Sequence, residues 1–136
     1  DYISNNTDRF TLYKKLYKVE NHNELNDIVK EIQDRYGKLP KEAQNLIFAV
    51  KLRIATIGTG FIKVSIKDNN LYCDFPPTEM KDYYNDAFPQ IIDYISSIDG
   101  TKLTQTKSKL LLKYQLNNPE NALEFLYKIK KTIELI

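Results

Sequence analysis

Glu31-Ile32-Gln33-Asp34-Arg35-Tyr36-Gly37-Lys38-Leu39-Pro40 reads as a helix end followed closely by a helix start. Gly37 closes a run of helical periodicity and suits the positive φ just past a helix C-terminus. Pro40, with Lys41-Glu42-Ala43 behind it, suits the first turn of a new helix, where no amide bond is lost. The expected link is about two residues, short enough to make the two helices packing neighbours.

Upstream of that link, Leu25, Ile28, Val29, Ile32 and Tyr36 fall at helical spacing and predict a helix from about Glu24 to Tyr36. The preceding residues 21–23 read as a polar link that leaves His22 in solvent. Asn5, Asn6 or Thr7 suits the cap of an earlier helix, with Asp8 near its positive end. Its expected apolar stripe is Phe10, Tyr13, Leu16 and Tyr17, with Arg9, Lys14 and Lys15 facing elsewhere. Downstream, Ala43, Leu46, Ile47, Val50, Ile54 and Ile57 predict a third helix over about Pro40 to Ile57. Phe48 and Leu52 lie on its opposite side, so a helix sandwiched between the first two helices and a sheet is expected.

Past Gly58 and Gly60 the period changes to two. Ile62, Val64 and Ile66 alternate with lysine and serine, a half-buried strand. Asp68-Asn69-Asn70 tolerates positive φ and predicts a tight hairpin, whose second strand turns Leu71, Cys73 and Phe75 to one face. Pro76-Pro77 stops that strand. Thr78 to Asp86 reads as a loop or a short irregular helix. A helix carrying Phe88, Ile91, Ile92, Ile95 and Ile98 follows, ended by Asp99-Gly100. A second hairpin spans Lys102 to Thr106 and Lys109 to Leu116, with Leu110, Leu112, Tyr114 and Leu116 inward. Asn118-Pro119-Glu120 opens a last helix with the stripe Ala122, Leu126, Ile129 and Ile133, widened by Leu123 and Phe125. The expected class is α+β: an N-terminal layer of three helices packed on an antiparallel sheet of two hairpins, each followed by a helix. A single domain is expected, with a helical part over 1–60 and a hairpin-helix-hairpin-helix part over 61–136. The chain opens on Asp1 and closes in an unfinished helical pattern, which suggests a piece of a longer polypeptide.

With 136 residues, 42% apolar and 28% charged, the chain has the composition of an ordinary globular domain. A formal charge of +2 demands neither nucleic acid nor membrane as a partner. No apolar run approaches the roughly 20 residues of a membrane span. One cysteine excludes an internal disulfide and suits a reducing cytosol. His22 and Cys73 alone make no zinc site, and Cys73 reads as a small core residue without a base to activate it. Gly58-Thr59-Gly60 lacks the lysine and helix start of a phosphate loop. No catalytic, cofactor-binding or metal residue is therefore assigned.

Two charged surfaces stand out. On the second helix Glu24, Asp27, Glu31 and Asp34 share roughly a third of the circumference, opposite the apolar stripe. Arg35 follows Glu31 by four and is placed to bridge it. Near the C-terminus, Lys107, Lys109 and Lys113 on the last hairpin join Lys128, Lys130 and Lys131 on the last helix, with Tyr114 and Tyr127 nearby. That second set would suit a small nucleic-acid-binding module, although Glu120, Glu124 and Glu134 interrupt it.

Glu31-x-x-Asp34-Arg35-Tyr36-Gly37-x-Leu39-Pro40-x-Glu42, followed by Leu46 and Leu52-Arg53, resembles the C-terminal domain of bacterial transcription-repair coupling factors. Tyr2-Ile3, Arg9-Phe10 and Tyr13-Lys14-Lys15-Leu16 fit the same pattern. The resemblance covers the first half of the chain, with nothing specific beyond about Gly60. It implies a non-catalytic regulatory domain of a cytoplasmic, ATP-dependent DNA translocase that displaces stalled RNA polymerase and recruits nucleotide excision repair. It further implies a lid on the parent's own UvrB-like module, covering the surface that recruits UvrA. The motif's acid and its Asp-Arg pair, here Glu31, Asp34 and Arg35, would make that contact, with Asp27 and Glu24 extending it. ATP and DNA would belong to the parent, and no membrane is implied. Tyr36 stands where the family commonly has Phe.

Overall fold

The computed structural model describes residues 6–134, with side chains from residue 11 onward. The caps expected at Asn5, Asn6 or Thr7, the charge of Asp8, and the side chains of Tyr2, Ile3, Arg9 and Phe10 lie outside that description. The chain divides into two compact units, the first closing at Ile54 and the second opening at Ala55.

Helices α1 (Asn6–Lys18), α2 (His22–Tyr36) and most of α3 (Lys41–Thr56) build the first unit. Its core joins Leu12, Leu16 and Val19 of the α1 segment to Leu25 and Ile32 of α2 and Ile47, Val50 and Ile54 of α3. The α1 stripe therefore runs through Leu12, Leu16 and Val19. Tyr13 packs at its margin and Tyr17 is 64% exposed, against the expectation that placed Tyr17 inside. Spacings of four and three residues keep Leu12, Leu16 and Val19 on one face, and that face meets α2 and α3.

The link between α2 and α3 takes residues 37–40 rather than two. Gly37 adopts φ 88 and ψ −147, a region open essentially to glycine, and its N–H donates to the Gln33 carbonyl at 2.8 Å. Pro40 accepts from the Gln44 N–H at 3.0 Å, so it flanks α3 and Lys41 starts it. Helix α2 begins at His22, two residues before expectation. Asn21 caps it by accepting from the Glu24 N–H at 2.9 Å, and the Glu24 carboxylate accepts from the Glu20 N–H at 2.9 Å. His22 is thus a first-turn residue, not part of a link, though it is exposed.

Arg53 of α3 donates through its guanidinium to the carbonyls of Tyr17 and Val19, satisfying the end of α1. Tyr13 donates to Glu42 at 3.0 Å. The arginine of the Leu52-Arg53 motif thus ties α1 to α3. Arg53→Met is expected to cost about 1.5–3 kcal/mol, the range for charge-assisted bonds, since the bond to the Tyr17 carbonyl is exposed but that to the Val19 carbonyl is part-buried. Arg53→Lys should fall between, since one ammonium serves two carbonyls less well than a fork. Urea unfolding midpoints of the three proteins check the order.

In the second unit, β1 (Lys63–Lys67), β2 (Asn70–Asp74), β3 (Thr101–Gln105) and β4 (Leu110–Gln115) form one antiparallel sheet in the order β1-β2-β4-β3. The two hairpins meet through their second strands, Cys73 opposite Leu112 and Asn70 opposite Gln115. The first hairpin turns through Asp68 and Asn69, both at positive φ, as their chemistry predicts. Ile62 precedes β1 and is exposed, and Ile57 lies beyond α3 and is exposed, so neither joins the stripe assigned to it. Helices α4 (Lys81–Asn85) and α5 (Ala87–Ser96) follow the first hairpin, and α6 (Glu120–Glu134) follows the second. Asn118 caps α6 by accepting from the Asn121 N–H at 3.2 Å, and Asn121 accepts in return from Asn117 and Asn118.

One sheet face carries Leu71, Cys73, Leu112 and Tyr114. Phe125 of α6 stacks on Tyr114 at 4.2 Å, and Phe88 of α5 meets Phe75 edge-on at 5.1 Å, so the helices cover this face. Burial pushes the Cys73 thiol far above its ordinary pKa, with Asp74 adding to the effect. It is a core residue. Phe48 and Leu52 of α3 are half-buried.

Candidate protein-contact face on the second helix

The polar side of α2 carries Glu24, Asp27, Glu31 and Asp34, with Arg35 at its margin, but in unequal states. Glu24 is committed to capping its own helix. Glu31 forms an ion pair with Lys15 of α1 at 3.3 Å, with both side chains nearly half exposed. Such a pair contributes well under about 1 kcal/mol. The expected Glu31–Arg35 bridge is thus replaced by a pair between helices, because the packing of α1 on α2 brings Lys15 to Glu31. Arg35 instead lies over the ring of Tyr36, 5.5 Å from its centroid. Asp27 and Asp34 are exposed, and among the described residues neither has an ion-pair partner.

Beside this face runs a groove of about 350 Å³ between α1 and α2, lined by Lys15, Lys18, Val19, Glu24, Asp27 and Ile28. Lys18, Val19 and Ile28 had no place in the sequence reading of this surface. They come together only because α1 ends beside the start of α2. An apolar floor between two lysines and two carboxylates suits a protein segment better than a small metabolite. Among the described residues no cluster of His, Cys, Asp or Glu is arranged to hold a metal ion. No helix among them is long and apolar enough to cross a membrane.

The basic residues near the C-terminus divide between two sides of the second unit. Lys113 alternates with Leu112 and Tyr114 and so points away from α5 and α6, as does Lys109, while Lys107 sits in the β3–β4 turn. Lys128 and Lys131 are exposed on α6, which covers the opposite face. Lys130 is half-buried, its ammonium 5.2 Å from the Tyr127 ring centre, and burial lowers its pKa against the opposing pull of Glu134.

A helical unit followed by paired hairpins, each carrying its helices, defines a small α+β domain. The chain belongs to the TRCF domain family, which residues 1–85 match. It is 32% identical over 71 residues to the transcription-repair-coupling factor of Staphylococcus haemolyticus, covering 52% of this chain and 6% of that protein. It is 34% identical over 65 residues to the factor of Mycobacterium bovis, covering 48% of this chain and 5% of that protein. The chain thus spans a small fraction of the length of these relatives. A crystal structure of the C-terminal domain of a transcription-repair coupling factor matches 98% of this chain and 86% of its own, with a TM-score of 0.76 and 19% identity. At that identity the match carries the α+β fold, and it extends through the hairpins that the sequence resemblance did not reach.

Proposed function

We propose that this chain is the C-terminal regulatory domain of a transcription-repair coupling factor and carries none of the parent's catalysis. The parent is an ATP-dependent DNA translocase that acts on stalled RNA polymerase in nucleotide excision repair. The α2 face docks on the parent's UvrB-like module and hides the surface that binds UvrA. The observation that carries this reading is the charge pattern of α2. Asp27 and Asp34 stand exposed, in a domain that uses Glu24 and Glu31 for its own caps and pairs. Charges left over in this way suit a polar interface that a few kcal/mol can open, and arginines on the partner would complement them.

Glu31→Ala with Asp34→Ala should leave the 136-residue chain folded, because the Lys15 pair is exposed and Asp34 has no ion-pair partner among the described residues. In the full-length parent the same double change should cost the contact about 2–5 kcal/mol and raise UvrA affinity at least tenfold. Isothermal titration of UvrA into both full-length proteins measures this. Equal affinities with an intact fold would remove the regulatory role from α2.

A further inference from the structure

The sheet face turned away from α5 and α6 gathers several lysines around one tyrosine. Alternation places Lys63, Ser65 and Lys67 of β1 on it, with Asn70, Tyr72 and Asp74 of β2, Leu111, Lys113 and Gln115 of β4, and Lys102 and Thr104 of β3. Lys109, just before β4, shares the parity of Lys113. Tyr72 is central. Ser65 and Lys113 lie directly opposite it on either side, and Lys63 and Lys67 are its diagonal neighbours across β1. Lys63, Lys67, Lys102 and Lys109 are exposed, and Tyr72 and Lys113 half so. Asp74 is the one acid within the strands on this face.

Lys102 and Lys113 are register partners, two like charges directly opposite on adjacent strands. That arrangement works against the sheet. Among the described residues neither lysine has an acidic partner to relieve it. A polyanion laid across the strands would relieve it. The four strands span about 14 Å, and β1, β2 and β3 are each about 13 Å long over four residue steps, a broad sheet surface. A duplex offers no free base to such a surface, whereas an unpaired base stacks on an aromatic ring while lysines follow its phosphates.

From this arrangement we infer that the open sheet face is a binding platform for a single strand of nucleic acid, with Tyr72 as the stacking residue and Lys63, Lys67, Lys102 and Lys113 as phosphate contacts. It takes on the order of two to three nucleotides, the number that stacks on a four-stranded sheet bearing aromatic side chains. The site lies on the sheet face opposite α6, and does not rest on the docking role given to Asp34.

The test is fluorescence anisotropy of a fluorescein-labelled dT12 oligonucleotide with the 136-residue chain. With four phosphate contacts on a single strand, affinity should fall roughly 50-fold between 50 and 200 mM salt. Lys102→Gln with Lys113→Gln should weaken binding at 50 mM salt about tenfold and reduce that salt effect to roughly 7-fold. Tyr72→Leu keeps a strand-compatible residue and the charge, so it should weaken binding about 5-fold or more while leaving the salt effect unchanged. Lys128→Gln with Lys131→Gln removes the same charge from α6 and should change nothing. Thermal melts establish that each variant is folded. The inference is overturned if dT12 does not bind at 50 mM salt, or if the α6 pair matters as much as the sheet pair. Equal binding of a 12-base-pair duplex, or equal competition by poly-glutamate of the same charge, would overturn it too.

Discussion

Replacing Gly60 by alanine is expected to lower the unfolding free energy by roughly 2–6 kcal/mol, combining backbone strain with overpacking. The backbone there has φ +86, where a side chain is strained whatever the space. A Cβ would also fall 2.0 Å from Cε1 and 2.6 Å from Cζ of Tyr83. That ring cannot simply swing aside. Its hydroxyl donates to the Thr59 carbonyl at 2.9 Å, and its ring makes a T-shaped contact with Tyr84, the centroids 5.3 Å apart. Burial holds the phenol well above its ordinary pKa, so the donor stays protonated throughout the range in which proteins are handled. Thr59, fully buried, adds its own bonds to the Thr56 carbonyl and the Phe61 N–H.

Gly37 is the matched control. It too has φ near +88, but nothing lies within 4 Å of its Cβ position. Gly37→Ala should therefore show strain alone, about 1–3 kcal/mol. In a Tyr83→Ala background the Gly60→Ala increment should shrink to that level, because the overlap is gone. Urea unfolding of the single and double variants measures the coupling. Equal costs at Gly37 and Gly60 would mean that Tyr83 yields freely.

How far the sequence was legible follows from the reach of each signal. The Asp68-Asn69 turn, the alternation of β1 and β2, and the Asn118 cap are local, and each was readable from a few neighbouring residues. The Asn21 cap was equally local, since Asn21-His22-Asn23-Glu24 has the spacing of a capping box, yet the apolar stripe drew the boundary to Glu24. Strand order was not legible. That β2 pairs with β4 depends on two hairpins meeting across a span of sequence, and no residue near either announces it. Lys102 therefore reads as an ordinary strand lysine until the register sets it against Lys113. The same holds for α2. Its acidic stripe was visible in the helical period, whereas the Lys15–Glu31 pair and the groove beside Asp27 depend on how α1 lies against α2.

Helix α1 shows the limit most sharply, and it makes a prediction of comparable size. Tyr13, Leu16 and Tyr17 fit a helical face as well as Leu12, Leu16 and Val19 do, and periodicity alone does not choose between two faces that overlap. Packing chooses. Leu12 and Leu16 are at most 1% exposed within the three-helix core, whereas the side chain of Tyr17 is in solvent and only its carbonyl is used, by Arg53. Leu12→Ala is expected to cost about 2–5 kcal/mol, the loss of a buried leucine together with the cavity left among α1, α2 and α3. Tyr17→Ala should change stability by no more than about 0.5 kcal/mol, since the carbonyl that Arg53 holds belongs to the backbone and survives the change. Denaturant unfolding of the two variants, with tyrosine fluorescence and far-ultraviolet circular dichroism as probes, separates the faces. A destabilising Tyr17→Ala beside a tolerated Leu12→Ala would rotate α1 and restore the stripe that the sequence alone suggested. The opposite order fixes the face on which α1 meets α2, and with it the approach of Lys15 to Glu31.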